Sequence, residues 1–175
     1  MKISNDINFG AIPQGIRIVN NKILAGGKLT WKELQALKDE NVGQIIDLRC
    51  SSTLYPQLKE FICCKFLGIK RENIPVVLFK SLPDKDTFEY VKKTVDKCPQ
   101  KTFIHCNSGL HRTNLFCEAL QILNGEKTVK EAIDSLINNG FFKLRNIEKR
   151  EPEIVKIQLE TLHKRLNDFK EMFSK

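Results

Sequence analysis

The stretch FIHCNSGLHRT, residues 103–113, sets Cys106 six positions ahead of Arg112, with Gly109 midway between them. An apolar run precedes it and a helical pattern follows, so the segment reads as the end of a strand, a loop and the start of a helix. In such a loop the amides of Asn107, Ser108, Gly109, Leu110, His111 and Arg112 can point inward at a helix N-terminus, forming a nest that suits a phosphate dianion. The same positive field favours thiolate over thiol, which makes Cys106 a nucleophile aimed at bound phosphorus. Arg112 can hold two phosphate oxygens through its planar fork and stabilise transition-state charge, which lysine, a point charge, matches poorly. Thr113 is expected to donate a hydrogen bond to the sulfur when it leaves, and His105 to orient the loop through its ring nitrogens.

The elements around this stretch have to bring it to one edge of a sheet. GIRIV and KILAGG read as two short strands about an Asn20-Asn21 turn. Thr30 and Glu33 have capping-box spacing, so a helix should run to about Asn41, and VGQIIDLR (42–49) is a continuous apolar run of buried-strand length. CKFLGIK and NIPVVLF are shorter strand candidates. Pro83 can open a helix over DKDTFEYVKKTVDK that Pro99 ends, after which KTFIHC returns to strand. From Arg112 onward the pattern is helical, with stops at Gly125 and Gly140, and residues 151–173 form an amphipathic helix. Its stripe of Val155, Leu159, Leu162, Leu166, Phe169 and Phe173 should dock on the core. The expected fold class is therefore α/β, one domain over residues 1–175, with a central, mostly parallel sheet flanked by helices and residues 1–20 as an N-terminal extension and strand. Ligands of such folds sit at the carboxyl ends of the strands, where the Cys106 loop falls.

Composition bounds the partners. A chain of 175 residues can bury roughly two-thirds of its unfolded surface, so it needs neither disulfides nor a structural metal. Six scattered cysteines (50, 63, 64, 98, 106 and 117) without secreted-scaffold spacing read as reduced. The opening residues lack a signal-peptide core and no apolar run reaches the roughly 18 residues of a membrane span, so the expected compartment is the cytosol. The net charge of +8 is spread along the chain without a nucleic-acid motif, and nucleic acid is not an expected partner.

HCNSGLHRT resembles the phosphate-binding signature of the cysteine-dependent protein tyrosine phosphatase superfamily, in its small dual-specificity-like branch. LAGGKLTWKELQALKDENVGQIIDLR is similar to the segment that precedes the signature there, and together the likeness covers roughly residues 20–125. It implies a tyrosine phosphatase-like fold and hydrolysis of phosphate monoesters through a phosphocysteine on Cys106. Arg112 would bind the phosphate and water would release it, with no metal and no cofactor. The substrate would be a phosphorylated protein, of tyrosine or dual-specificity type, or a small phosphorylated molecule. Membrane contact is expected only if that substrate is a phosphoinositide.

Two departures stand out. Asn114 replaces the usual glycine after Arg-Thr, in the first helical turn, where it should affect packing. The family's general acid is an aspartate about thirty residues before the nucleophile, and ENIPVVLF at that offset holds none. Asp84, 22 residues upstream of Cys106, is the nearest candidate, with Asp86 behind it, although an aspartate at a helix start is also a cap. An enzyme without an acid should favour aryl phosphates or phosphoanhydrides, whose leaving groups need no proton.

The loop is close to that of fungal inositol-pyrophosphate phosphatases, and Lys70, Arg71, Lys80 and Lys85 could line a mouth for such substrates. The same loop would also suit a phosphoinositide phosphatase, or a module that binds phosphate without turnover. An RNA 5′-triphosphatase fits the positive charge but not the loop. A zinc site from His105, Cys106, His111 and Cys117 lacks a second close ligand pair, and Cys117 falls on an apolar helix face. Cys50, at the end of IIDLR, should lie on the same sheet edge as Cys106, so that oxidation could join the two reversibly.

Overall fold

Along the central strands successive side chains leave on opposite faces, and the core divides accordingly. Ile23, Ile46 and Ile104 enter one cluster, whereas Leu24, Ile45 and Phe103 enter the other. In the computed structural model, which describes residues 15–50, 54–76, 84–141 and 152–174, these residues belong to one five-stranded sheet.

The elements in chain order are β1 (Arg17–Ile18), β2 (Ile23–Gly26), α1 (Trp31–Asp39), β3 (Val42–Asp47), α2 (Leu54–Phe66), β4 (Lys70–Asn73), α3 (Lys85–Lys97), β5 (Lys101–His105), α4 (Arg112–Leu123), α5 (Val129–Asn138) and α6 (Pro152–Ser174). The sheet order is β1-β2-β5-β3-β4, with β1 antiparallel to β2 and every other pairing parallel. The Asn20 side chain closes the first turn by accepting from the amides of Lys22 (3.0 Å) and Ile23 (2.9 Å).

Leu34 and Leu37 of α1 and Cys64 of α2 cover one face. The other face carries the larger cluster, built on α3 to α6. There Phe88 of α3 meets Phe116 of α4 and Phe169 of α6 with ring centroids 4.9 and 4.8 Å apart. α6 buries Leu162, Leu166 and Phe169 in this cluster, with Leu159 and Phe173 packed against it. Helix ends follow local chemistry: Thr30 with Glu33, and Thr128 with Glu131, form complete capping boxes on α1 and α5. No helix among the described residues is long and apolar enough to cross a membrane.

One element departs from expectation. The strand expected over CKFLGIK is instead the end of α2 and a turn through Gly68 (φ 64°), with only Lys70 belonging to β4. Of NIPVVLF, Asn73 ends β4, residues 74–76 follow as irregular chain, and the rest lies outside the described residues, as do Lys80, Pro83 and residues 1–14 of the N-terminal extension. α2 escapes pattern reading because the side it buries is polar: Gln57 and Glu60 face inward beside Cys64. A helix with its apolar stripe outward has no 3.6-residue signal pointing to the core.

Candidate active site

β5 ends at His105 and α4 begins at Arg112, so the six residues between them form a loop at the carboxyl edge of the sheet. The Cys106 side chain is buried at its base, and the amide of Gly109 donates to Sγ at 3.3 Å. Gly109 has φ 76°, the left-handed conformation that glycine adopts without strain. A Cβ there would also sit 2.5 Å from the Gly26 carbonyl carbon and 2.7 Å from the Gly27 nitrogen. Gly26 at the end of β2 and Gly27 just after it are thus the wall against which the loop is formed. The Lys28 amide donates to Asn107 O (3.0 Å), and the Thr113 hydroxyl to Gly26 O (3.4 Å). Thr113 therefore holds α4 to β2, and its hydroxyl is directed to that carbonyl and not to the sulfur.

Arg112 reaches across to the end of β3. Its Nη1 donates to Leu48 O at 3.0 Å and lies 3.9 Å from Cys50 Sγ. This anchors one edge of the guanidinium beside the loop. Cys50 and Cys106 are both free thiols. Asn107 and Ser108 are exposed, Leu110 and His111 half-buried, and the His111 ring meets Phe141 edge-on at 5.5 Å. Asn114 is buried, and its side-chain amide donates to Asn139 O (3.4 Å), so the residue in place of glycine ties α4 to the end of α5.

Behind Cys106 lies a charged cluster that the sequence does not announce. The His105 ring is fully buried, with Nδ1 3.1 Å from Cys106 O. Its Nε2 lies 3.2 Å from Glu60 Oε1, within ion-pair reach but out of line for a hydrogen bond. Arg49 donates to Asp47 through Nε (2.8 Å) and Nη2 (2.8 Å), and its Nη2 also donates to Glu60 (2.8 Å). Arg71 bridges the same two carboxylates, through Nε to Glu60 (3.0 Å) and through Nη2 to Asp47. Two guanidiniums thus neutralise two carboxylates in a space closed to solvent, which is how buried charge is tolerated. Burial by itself would raise the Glu60 pKa, but contacts with His105, Arg49 and Arg71 outweigh it and hold the carboxyl down to about 2. Asp47, Glu60 and His105 also have the proximity of a metal triad, but the carboxylate oxygens already receive guanidinium donors.

The remaining expected site residues lie elsewhere. Asp84 is the N-cap of α3, accepting from the Thr87 amide (2.8 Å) and hydroxyl (2.9 Å), bonds that hold its carboxyl below the usual range. Asp86 follows it in the first turn of α3. Arg71 belongs to the buried cluster and not to a substrate mouth, and Lys70 pairs with Glu72 on its own strand. The Lys85 ammonium donates to Met172 O (3.1 Å) and lies over the Phe173 ring, so it fastens α3 to α6. Cys117 is buried in α4 and burial pushes its thiol up to about 12, an inert core thiol.

No family model matches the sequence, and no curated protein matches it. Solved structures do resemble the fold. A DUF442 protein from Shewanella putrefaciens CN-32 is 16% identical, with a TM-score of 0.64 over 87% of this chain and 88% of its own. The core catalytic domain of the PP-IP phosphatase Siw14 from S. cerevisiae is 20% identical, with a TM-score of 0.64 over 86% and 94%. TpbA of P. aeruginosa is 8% identical, with a TM-score of 0.65 over 92% and 91%. The chain shares the fold of these structures, a mostly parallel sheet that here presents the Cys106–Arg112 loop at its carboxyl edge.

Proposed function

We propose that the protein is a cysteine-dependent phosphatase of the tyrosine or dual-specificity type, acting through a phosphocysteine on Cys106. The observation that carries this is the loop itself: a buried sulfur receiving the Gly109 amide at 3.3 Å, with the Arg112 guanidinium at the loop's far end held to Leu48 O. In the first step sulfur attacks phosphorus, the S–P bond forms and the bond to the leaving oxygen breaks. In the second step a water oxygen attacks the same phosphorus and the thiolate departs. Asn107 to Arg112 supply the donors that follow the phosphoryl oxygens, and the fork of Arg112 holds them as charge develops.

Asp84 enters this reading as the proton donor only by leaving its cap. A carboxyl held low by Thr87 gives up its proton too readily to donate at neutral pH. Asparagine caps a helix about as well as aspartate, so Asp84→Asn isolates the acid role. The expected result is a fall of about 10²-fold on a phosphothreonine peptide, with little change on p-nitrophenyl phosphate, whose phenolate leaves unaided. Rates unchanged from wild type on both substrates would return Asp84 to capping alone.

The internal engagement of Lys70, Arg71 and Lys85 favours a substrate with one phosphate over a highly phosphorylated one. An inositol pyrophosphate is the second reading. It is supported by the likeness to Siw14, a PP-IP phosphatase, and by a phosphoanhydride's independence of an acid. The deciding experiment is phosphate release by wild type and Cys106→Ser from phosphotyrosine and phosphothreonine peptides, phosphoinositides and inositol pyrophosphates. Turnover on phosphotyrosine that vanishes with the thiol is expected. Release only from pyrophosphates would select the second reading, and no release from any substrate by folded wild type would leave a phosphate-binding module.

A further inference from the structure

α2 is built inside out. It buries Gln57, Glu60 and Cys64, while Leu58, Phe61, Ile62 and Phe66 are 56, 44, 45 and 82% exposed. At 100° per residue, the outward arc runs Phe61, Lys65, Leu58, Ile62, Phe66, Lys59, roughly 160° of the helix surface. Each of these six side chains is apolar or lysine. The only acid of α2, Glu60, is turned inward to Arg49, Arg71 and His105. Neither Lys59 nor Lys65 forms a salt bridge among the described residues. A contiguous exposed apolar stripe of this kind marks a contact surface.

We propose that this face of α2 docks on an anionic lipid surface. Charge decides between occupants. Lys65 lies inside the apolar arc, so pairing two copies through this face would set lysine near lysine in chains that each carry +8. Against anionic headgroups the same lysines are complementary: the apolar side chains enter the acyl boundary, and the ammonium groups snorkel to the phosphates on their long stems. The binding face and the buried cluster use opposite sides of one helix, so lipid contact leaves the groups behind Cys106 in place. It also does not require the substrate to be a lipid.

The test is co-sedimentation of the full chain with phosphatidylcholine vesicles, with or without about one-third phosphatidylserine. Wild type is expected to pellet with the phosphatidylserine vesicles and weakly with phosphatidylcholine alone. Phe61→Glu/Phe66→Glu should lower the partition coefficient about tenfold or more, while the melting temperature and p-nitrophenyl phosphate turnover stay near wild type. If that pair does not fold, Phe61→Ser/Phe66→Ser serves in its place. Lys59→Glu/Lys65→Glu should weaken binding to the anionic vesicles only. Equal binding to both vesicle types, or charge-reversed protein that binds like wild type, overturns the proposal. So does a wild-type dimer in sedimentation equilibrium that the phenylalanine variants dissolve, which would make a second copy the occupant.

Discussion

Arg112→Lys is expected to lower kcat/KM for p-nitrophenyl phosphate by about 10³-fold while the protein stays folded. The guanidinium is held to the end of β3 through Nη1, by a bond to Leu48 O, which leaves Nε and Nη2 for two phosphate oxygens at once. A lysine at this position keeps the charge and loses the fork. It also loses a charge-assisted hydrogen bond worth about 2 kcal/mol, too little to unfold a domain of this size. Steady-state kinetics beside a thermal melt check this, and a loss under tenfold with an unchanged melt would remove Arg112 from the transition state.

The second large effect concerns stability. Glu60→Gln removes one of two carboxylates that balance Arg49 and Arg71 in a closed space. Breaking a buried pair from one side costs about 3–5 kcal/mol, because the partner charges stay buried. The pH dependence identifies the cause. Glu60 has its carboxyl lowered from 4.5 to about 2, so its contribution is complete above about pH 4.5 and is lost as the pH falls toward 2. That shift corresponds to about 3 kcal/mol. Urea titrations of both proteins should therefore show their stabilities separated at neutral pH and converging between pH 4.5 and 2. A separation that stays constant across that window would mean the loss is one of packing and not of charge. Because His105 connects Glu60 to the carbonyl of Cys106, the variant should also turn over more slowly when still folded.

Much of the site is local in sequence. HCNSGLHRT specifies a loop between a strand and a helix by short-range chemistry: an apolar run, a glycine free to take positive φ, and the amide of that glycine turned onto the Cys106 sulfur. The caps of α1 and α5 are likewise three-residue matters, since Thr30 and Thr128 bond to amides on their own first turns. For the same reason Asp84 is a cap, and its helix-start setting alone carries that reading.

The cluster behind Cys106 is non-local. Asp47 and Arg49 come from β3 and its end, Glu60 from α2, Arg71 from β4 and His105 from β5, and only parallel pairing of the three strands brings them together. Arg71, readable in the chain as a surface cation, becomes an internal one because it pairs in register with Ile45, one strand from His105. The glycine wall follows the same rule: Gly26 lies opposite His105 across the β2–β5 pairing, far away in sequence.

The chain's own pattern determined where Cys106, its loop and its flanking strand and helix would form, since those depend on neighbours within one turn or one strand. Tertiary structure alone decided which polar residues are buried, and therefore which way α2 faces. Periodicity reports burial only when the buried side is apolar, and α2 buries a carboxylate that finds its partners on other elements.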